Sequence, residues 1–123
     1  MIGKLCWSTF PYYDRNSGRN AFKKRPVLIL SGPRNNDYTV LPVSSISIRK
    51  NIDTDYDIEV DPNIYPRLHL TKTCYIRTHK QTIVHQAALT SQISDLKNEY
   101  PELYLQILEK LDLFHQKIID DSL

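Results

Sequence analysis

The residues of this chain best suited to chemistry lie directly before an apolar stretch, in the segment KKRPVLILS. Pro26 fixes its own φ and pushes Arg25 toward extended geometry, so the guanidinium is held where a loop becomes a strand. This planar fork of donors can span two oxygens of a phosphate. The segment therefore indicates a functional site, although a solvated basic turn is the simpler interpretation of the same charges.

Hydroxyl groups follow the next predicted strand, which covers residues 38–43 and contains Pro42. A proline here implies a sheet edge or a bulge, where side chains can point away from regular pairing. Ser44, Ser45 and Ser47 come next and can donate hydrogen bonds from that position. The alternative is a serine-rich strand end without a function.

Residues 12–24 lack periodicity and are rich in turn-forming types, which predicts a long polar loop. Long ordered loops usually carry function. Tyr12, Tyr13 and Phe22 can stack on a ligand there, or they can pin the loop to the sheet. The positive charges that crowd this segment are Arg15, Arg19, Lys23, Lys24 and Arg25.

Length and composition limit the possible classes of protein. A chain of 123 residues predicts a single domain over residues 1–123, and its 24% charged and 41% hydrophobic residues are typical of a globular protein. The net charge of +2 is too small to indicate nucleic-acid binding by itself. Neither a signal peptide nor a membrane span is visible, so we expect a cytoplasmic protein.

Cys6 and Cys74 are the only cysteines, and both lie in strand-like stretches without metal-ligand spacing. We predict that they are small buried side chains in a reducing compartment. No two histidines have the spacing of a zinc site, so neither a metal nor another cofactor is expected.

Alternation of apolar and polar residues predicts several short strands. The acidic residues Asp57, Glu59 and Asp61 alternate with apolar ones and are expected to face solvent. The predicted strands are a first one that ends near Phe10, then 27–31, 38–43, 56–60, 68–78, and a last one over 82–84 that extends at most to residue 88.

The C-terminal part of the chain is helical. Ser94 is a candidate cap for a short turn through Lys97, and Pro101 suits the first position of a longer helix. Its apolar stripe, which packs on the sheet, is Leu103, Ile107, Leu111, Phe114 and Ile118. Strands followed by one terminal helix predict an α+β fold with a small, strongly curved antiparallel sheet.

The order of these motifs resembles the MazF/PemK family, the RNA-cleaving toxins of bacterial toxin–antitoxin pairs. Gly3 with Trp7 resembles the family's opening glycine and strand tryptophan, and KRPVLILS resembles its arginine-proline strand. LPVSS resembles the family's proline-x-threonine/serine segment, and residues 75–78 resemble its arginine-threonine strand. Each motif alone is weak, but four in the right order are fairly specific. The resemblance implies an SH3-like barrel of the CcdB and MazF kind.

By this resemblance, Arg25 falls on the family's catalytic arginine and Ser44 on its catalytic hydroxyl. Lys72 falls where some relatives carry an arginine that contacts RNA. Tyr75 stands where most relatives carry glutamine and Cys74 where some carry aspartate. The family's Gly-x-Glu-Gln is absent before the arginine, and Asn20 lies at its acidic position.

The resemblance implies a metal-independent endoribonuclease that cuts single-stranded RNA, leaves a 2′,3′-cyclic phosphate and inhibits growth. The RNA 2′-hydroxyl attacks its own phosphate, so the protein must align the attack and stabilise charge. We assign charge stabilisation to Arg25, because arginine stays protonated and is a poor general base. Ser44 would donate to the same phosphate or to the leaving oxygen.

His79 is a candidate for proton transfer, because a histidine proton exchanges near neutral pH and this one follows the arginine-threonine strand. A structural histidine at a strand end is the alternative, and the other three histidines receive no role. Arg77 could contact phosphate or form a structural ion pair. The predicted RNA-contacting residues are Arg19, Lys23, Lys24, Tyr12, Tyr13, Lys72 and Arg77.

The implied partners are single-stranded RNA, a cognate antitoxin and a second copy of the chain in a homodimer. An acidic, partly disordered antitoxin segment would cover the basic groove. Two other functions stay open. One is a non-catalytic toxin of the same fold that inhibits a topoisomerase by contact, as CcdB does, and the other is a nucleic-acid-binding module without cleavage.

Overall fold

Seven β-strands and two α-helices follow one another in the computed structural model, which describes all residues 1–123. The strands form one antiparallel sheet in the order β4-β5-β3-β2-β1-β7, and β6 also pairs with β3. The predicted α+β class, a curved antiparallel sheet with a C-terminal helix, is confirmed. The elements are β1 (Leu5–Asp14), β2 (Arg19–Arg34), β3 (Asp37–Ser44), β4 (Asp57–Val60), β5 (Cys74–Arg77), β6 (Thr82–His85), β7 (Leu89–Ser94), α1 (Leu96–Glu99) and α2 (Pro101–Ser122).

The first two strands are much longer than predicted. They pair without interruption from Leu5 opposite Leu28 to Asp14 opposite Arg19. Residues 12–24 are therefore mostly a β-hairpin, and the prediction of an irregular loop was wrong. The turn residues occupy only the tip, and the exposed strands beside it bury no face, so no hydrophobic periodicity marks them.

The distal part of this hairpin extends beyond the rest of the sheet. Pairing of β2 with β3 ends at Val27 opposite Pro42, and pairing of β1 with β7 ends at Ser8 opposite Leu89. Residues 9–14 and 19–24 consequently pair only with each other, and Arg25 and Pro26 pair only with Ser8 and Trp7 of β1. We call residues 9–26 the arm.

The sheet separates two apolar clusters. Successive side chains of a strand point to opposite faces, so Leu5 and Leu28 lie on one face and Cys6 and Val27 on the other. The first face is covered by α1 and α2, and we call it the helix face; we call the other the far face. Buried residues of the helix-face cluster include Leu5, Leu28, Leu41, Val43, Ile76, Leu96, Leu103 and Ile107, and those of the far-face cluster are Cys6, Val27, Ile29, Tyr38, Val40 and Val84.

The terminal helices agree with the sequence in most respects. Pro101 is the first residue of α2, as predicted. Of its stripe, Leu103 and Ile107 are buried, whereas Ile118 is 50% exposed because the helix continues past the sheet. The cap of α1 is Asp95, whose Oδ1 accepts from the Asn98 N–H at 3.3 Å, so the assignment to Ser94 was wrong by one residue. None of the helices combines the length and apolar character needed to cross a bilayer.

Two further strand predictions differ from the structure. Residues 66–68 form a 3₁₀ turn rather than the start of a strand, because Pro66 begins that turn and Leu68 is buried at its end. β7 was not predicted, and only Ser94 in it is fully buried, so its sequence shows no clear alternation. Cys6 and Cys74 are free buried thiols, as expected.

Gly3 allows the chain to pass close to α1. Its φ is +85°, and a Cβ at this position would lie 2.4 Å from Cβ of Lys97. Its N–H donates to the Ile29 carbonyl at 2.7 Å, and its own carbonyl accepts from the Lys97 N–H at 3.0 Å. The glycine therefore holds β1, β2 and α1 together at one point.

We expect Gly3→Ala to lower the free energy of unfolding by about 2–4 kcal/mol, because it adds backbone strain and a clash. Gly18→Ala is the matched control, since Gly18 also has a positive φ (+69°) but its nearest neighbouring atom would be 3.8 Å away. That change should cost only about 1 kcal/mol. Urea denaturation measures both values, and equal losses would refute the close-packing argument.

Candidate functional site

A row of polar residues crosses the sheet at the base of the arm. Ser44 of β3 pairs with Tyr75 of β5. Arg25 precedes Val27 by two residues, Ser44 follows Pro42 by two, and Val27 pairs with Pro42. Since residues two apart in a strand share a face, Arg25 and Ser44 both point to the far face.

Neither of these two side chains forms a hydrogen bond or an ion pair inside the protein. The guanidinium groups that bind internally are those of Arg67 and Arg77. Arg25 is exposed, and Ser44 is half-buried and donates no hydrogen bond within the chain. Both are therefore free to bind a ligand.

Two concavities meet at Arg25. The larger, of about 410 Å³, includes Trp7, Lys24, Pro26, Ser45, His69 and Lys72 in its wall, and we call it the Trp7 cavity. The smaller, of about 320 Å³, is formed by Phe10, Pro11, Tyr12, Lys23, Arg25 and Pro42, and we call it the Phe10 cleft. Arg25 lines both, and no acidic residue lines either.

The two adjacent serines point to opposite faces. Ser44 shares the far face with Arg25 but lines neither concavity, whereas Ser45 is exposed and lies in the Trp7 cavity. Ser44 is the last residue of β3 and Ser45 the first after it, so the different directions of their side chains separate their possible roles. Residue type alone does not distinguish the two hydroxyls, and the choice of Ser44 came from the family resemblance.

Lys72 and Cys74 both line the Trp7 cavity. The Cys74 thiol donates to the Lys72 carbonyl at 3.3 Å. Burial raises the pKa of the Cys74 thiol, although the positive charge of Lys72 acts in the opposite direction. Cys74 thus stays a protonated wall residue near neutral pH and is a poor nucleophile.

The predicted arm residues are divided between its two faces. Register puts Tyr12 and Lys23 on the side of Arg25, and Lys23 Nζ lies 4.4 Å from the centre of the Tyr12 ring. Tyr13 and Lys24 point to the opposite side. Tyr12 and Tyr13, and likewise Lys23 and Lys24, therefore face opposite sides of the arm.

Arg19 lies opposite Asp14 at the tip of the arm. Six residues of extended chain separate it from Arg25, a distance of about 20 Å. It is exposed and does not line the concavities at the base of the arm.

Arg77 forms the ion pair that was one of its two predicted roles. Its Nε and Nη2 lie 3.1 and 3.3 Å from the two oxygens of Asp57, and Nη2 also donates to the Asn51 carbonyl at 3.2 Å. The Asp57 side chain is fully buried, so the prediction that this acid faces solvent was wrong. The reason is its neighbour across the β4–β5 ladder, which is Arg77.

His79 lies in a separate cluster. Its Nε2 and Nδ1 are each 3.8 Å from a carboxylate, of Asp53 and Asp57 respectively, and its ring packs against Tyr56 and Phe114. Nδ1 is buried without a hydrogen-bond partner. His79 lines neither of the concavities that Arg25 lines, so the structure does not bring it together with Arg25.

His69 lines the Trp7 cavity, although the sequence analysis gave it no role. It follows the buried Leu68 and has a left-handed backbone, with φ of 59°. No periodicity or motif in the sequence marks this position. Tyr75, which pairs with Ser44, donates to Glu59 at 3.4 Å, and desolvation together with this carboxylate raises the pKa of Tyr75, so it stays a protonated donor.

The curved sheet, the terminal helix and the basic concavities around an unpartnered Arg25 define a small α+β protein suited to an anionic ligand. A protein-family model described as PemK-like, MazF-like toxin of type II toxin-antitoxin system matches residues 3–114. The chain therefore belongs to this family of toxins, as the resemblance suggested. Membership implies an antitoxin as a partner. Comparison with curated proteins gave no significant match.

Proposed function

We propose that this toxin is an endoribonuclease that cuts single-stranded RNA without a metal and leaves a 2′,3′-cyclic phosphate and a 5′-hydroxyl. One observation carries the proposal. Arg25 and Ser44 lie on the same face of neighbouring strands, without internal partners, and Arg25 stands where two concavities free of acidic residues meet. This arrangement suits a phosphodiester better than a neutral or cationic ligand.

In this mechanism, the 2′-hydroxyl attacks the adjacent phosphorus, the bond to the 5′-oxygen breaks, and negative charge accumulates on the non-bridging oxygens. The Arg25 guanidinium donates to those oxygens and stabilises them most strongly in the transition state. Ser44 donates to the same phosphate or to the 5′-oxygen as it leaves.

A proton must also leave the 2′-hydroxyl and reach the 5′-oxygen. His79 is enclosed by Asp53, Asp57 and aromatic rings, so its predicted part in proton transfer gains no support from its position. His69 shares the Trp7 cavity with Arg25, and the two nitrogens of an imidazole ring can accept and donate a proton. We assign this transfer to His69 as part of the proposal.

The other predicted contacts and partners belong to the same proposal. Lys23 and Tyr12 would hold RNA in the Phe10 cleft, and Lys24 and Lys72 would hold it in the Trp7 cavity. Arg19 would contact RNA further along the arm. Arg77 is engaged with Asp57, which leaves it little capacity for phosphate. A homodimer is a further proposal, which light scattering coupled to gel filtration tests.

The direct experiment incubates the purified protein with a long RNA of known sequence and maps the new ends by primer extension. We expect discrete cuts at few sequences, a cyclic phosphate on the upstream product, and unchanged rates in EDTA. Intact RNA after prolonged incubation with excess protein would refute the proposal. Loss of cutting in EDTA would refute its metal independence.

The two serines provide a matched pair of variants. We expect Ser44→Ala to lower kcat/KM for RNA by roughly 10- to 100-fold, because it removes one donor to the developing charge. Ser45→Ala, the same change one residue further, should alter it by less than about threefold, since a surface contact contributes little to the transition state. The opposite order of effects would move the catalytic hydroxyl to Ser45.

A further inference from the structure

A line of exposed aromatic rings begins at Trp7, at the base of the arm, and continues along one side of the arm. Register places Trp7 opposite Pro26, Pro11 opposite Phe22, and Tyr13 opposite Asn20. By alternation, Trp7, Phe22 and Tyr13 therefore share the helix face. We call these three residues, with Lys24 between the first two, the aromatic track.

Phe22 and Tyr13 are largely uncovered, and Trp7 is partly so. Trp7 is 37% exposed, Tyr13 62% and Phe22 72%. The arm pairs with no other strand, so Phe22 and Tyr13 project from a two-stranded ribbon into solvent, whereas Trp7 lies at its base, where β1 also pairs with β7. Large exposed apolar groups in a continuous line typically mark a binding surface.

The charges on this side favour an anionic ligand over an apolar protein segment, and the exposed rings between them favour a nucleic acid. Lys24 lies between Trp7 and Phe22 in the track, and Lys72 stands in the Trp7 cavity where the track begins. The one acid of the arm, Asp14, points to the opposite side. Alternating rings and ammonium groups are the arrangement that stacks unpaired bases and holds their phosphates.

The spacing also fits separate bases. Along the strands, Phe22 lies about 13 Å from Trp7, and Tyr13 a further 7 Å or so from Phe22. None of the three rings packs against another ring in the structure, so each presents a free face to a different base. The whole track therefore extends about 20 Å from the Trp7 cavity to the tip of the arm.

We propose that the aromatic track is a second RNA-binding surface, which stacks on the order of three unpaired bases outside the cleaved bond. It lies on the face of the arm opposite to Arg25, so the RNA strand passes from the site of cleavage through the Trp7 cavity and onto the track. The identity of the ligand rests on the proposed function. The track sets the affinity for long RNA and does not take part in the chemistry.

Trp7 is the only tryptophan of the chain and therefore a built-in probe. The experiment titrates the protein with an oligouridylate of about twelve nucleotides whose 2′-hydroxyls are methylated, so that it binds but cannot be cleaved. We expect the fluorescence of Trp7 to be quenched. Phe22→Leu and Tyr13→Leu should each weaken binding about tenfold, because leucine keeps an apolar side chain but removes the stacking face.

The conservative changes Phe22→Tyr and Tyr13→Phe should retain the affinity of the parent protein within about twofold, since each keeps a ring. Ile83→Ala is a control for exposed apolar surface elsewhere, because Ile83 is 63% exposed on β6. Thermal melting checks that the leucine variants stay folded, which their exposed positions lead us to expect.

Unchanged affinity for the methylated oligomer in both leucine variants would refute the role of the aromatic track in RNA binding. So would a loss of antitoxin binding in them with RNA binding intact, because it would make the surface a protein interface. The track and the proposed cleavage can fail separately. If the methylated oligomer binds through the track but unmodified RNA is never cut, only the cleavage proposal is wrong; if RNA is cut and the leucine variants bind normally, only the track is wrong.

Discussion

Arg25→Ala is expected to lower kcat/KM for RNA cleavage by about 10³-fold or more, which is the size of effect seen when a charge-stabilising donor is removed from a phosphoryl or acyl transfer site. Arg25 is exposed, and its side chain makes no hydrogen bond or ion pair inside the protein. The fold should therefore survive the change. Single-turnover cleavage of end-labelled RNA measures the loss, and urea denaturation shows that stability stays within about 0.5 kcal/mol.

Two variants give this prediction its controls. Arg25→Lys keeps the charge but loses the planar fork, so we expect an intermediate loss of roughly 10- to 100-fold. Arg34→Ala removes an exposed arginine from the other end of the same strand and should leave cleavage unchanged. Full activity in Arg25→Ala would end the assignment of Arg25 to catalysis.

The same variant separates the possible modes of toxicity. A toxin that cleaves RNA loses its effect on growth when Arg25 is replaced by alanine. A toxin that inhibits a topoisomerase by contact retains the effect, because the fold and the surface of α2 are unchanged. A passive RNA binder would show no cleavage in the parent protein, whatever residue stands at position 25.

The sequence predicted most elements that build the core, because their signals are local. Pro26 followed by four apolar residues marked the buried part of β2, and Pro101 with its apolar stripe marked α2. The strands of the arm were not predicted, because they are stabilised by pairing with each other and bury almost no apolar side chains. Their sequence therefore shows no alternation of apolar and polar residues. β7 was not predicted for a similar reason, since it is an edge strand with one buried residue.

In the candidate site, likewise, some residues could be predicted from local sequence and others could not. Arg25 was recognisable because Pro26 fixes the local geometry, and a local cause can be seen in the sequence. The separation of Ser44 from Ser45, and of Lys23 from Lys24, depends on register with neighbouring strands. His69 could not be found in advance either, because a 3₁₀ turn far along the chain brings it to the cavity. Long-range pairing, rather than residue type, decides these positions.

Asp57→Ala is expected to lower the free energy of unfolding by about 3–5 kcal/mol, because it removes one partner of a buried ion pair. The Asp57 side chain has no exposed surface, and that of Arg77 is only 21% exposed. The carboxylate binds Arg77 through both oxygens and also accepts from the Asp53 N–H at 2.8 Å. The melting temperature should fall by roughly 10–20 °C in a domain of this size.

Glu59→Ala is the matched control, because Glu59 is an exposed acid two residues further along β4. We expect it to cost less than about 0.5 kcal/mol, so an equal loss in the two variants would contradict a special role for Asp57. A double-mutant cycle with Arg77→Ala isolates the pair itself. If Asp57 and Arg77 stabilise mainly each other, the double variant is more stable than the sum of the single losses predicts.

The ion pair also fixes the loop that follows Ser44 and Ser45, because Arg77 donates to the Asn51 carbonyl. Loss of the pair should therefore disorder that loop before the sheet unfolds.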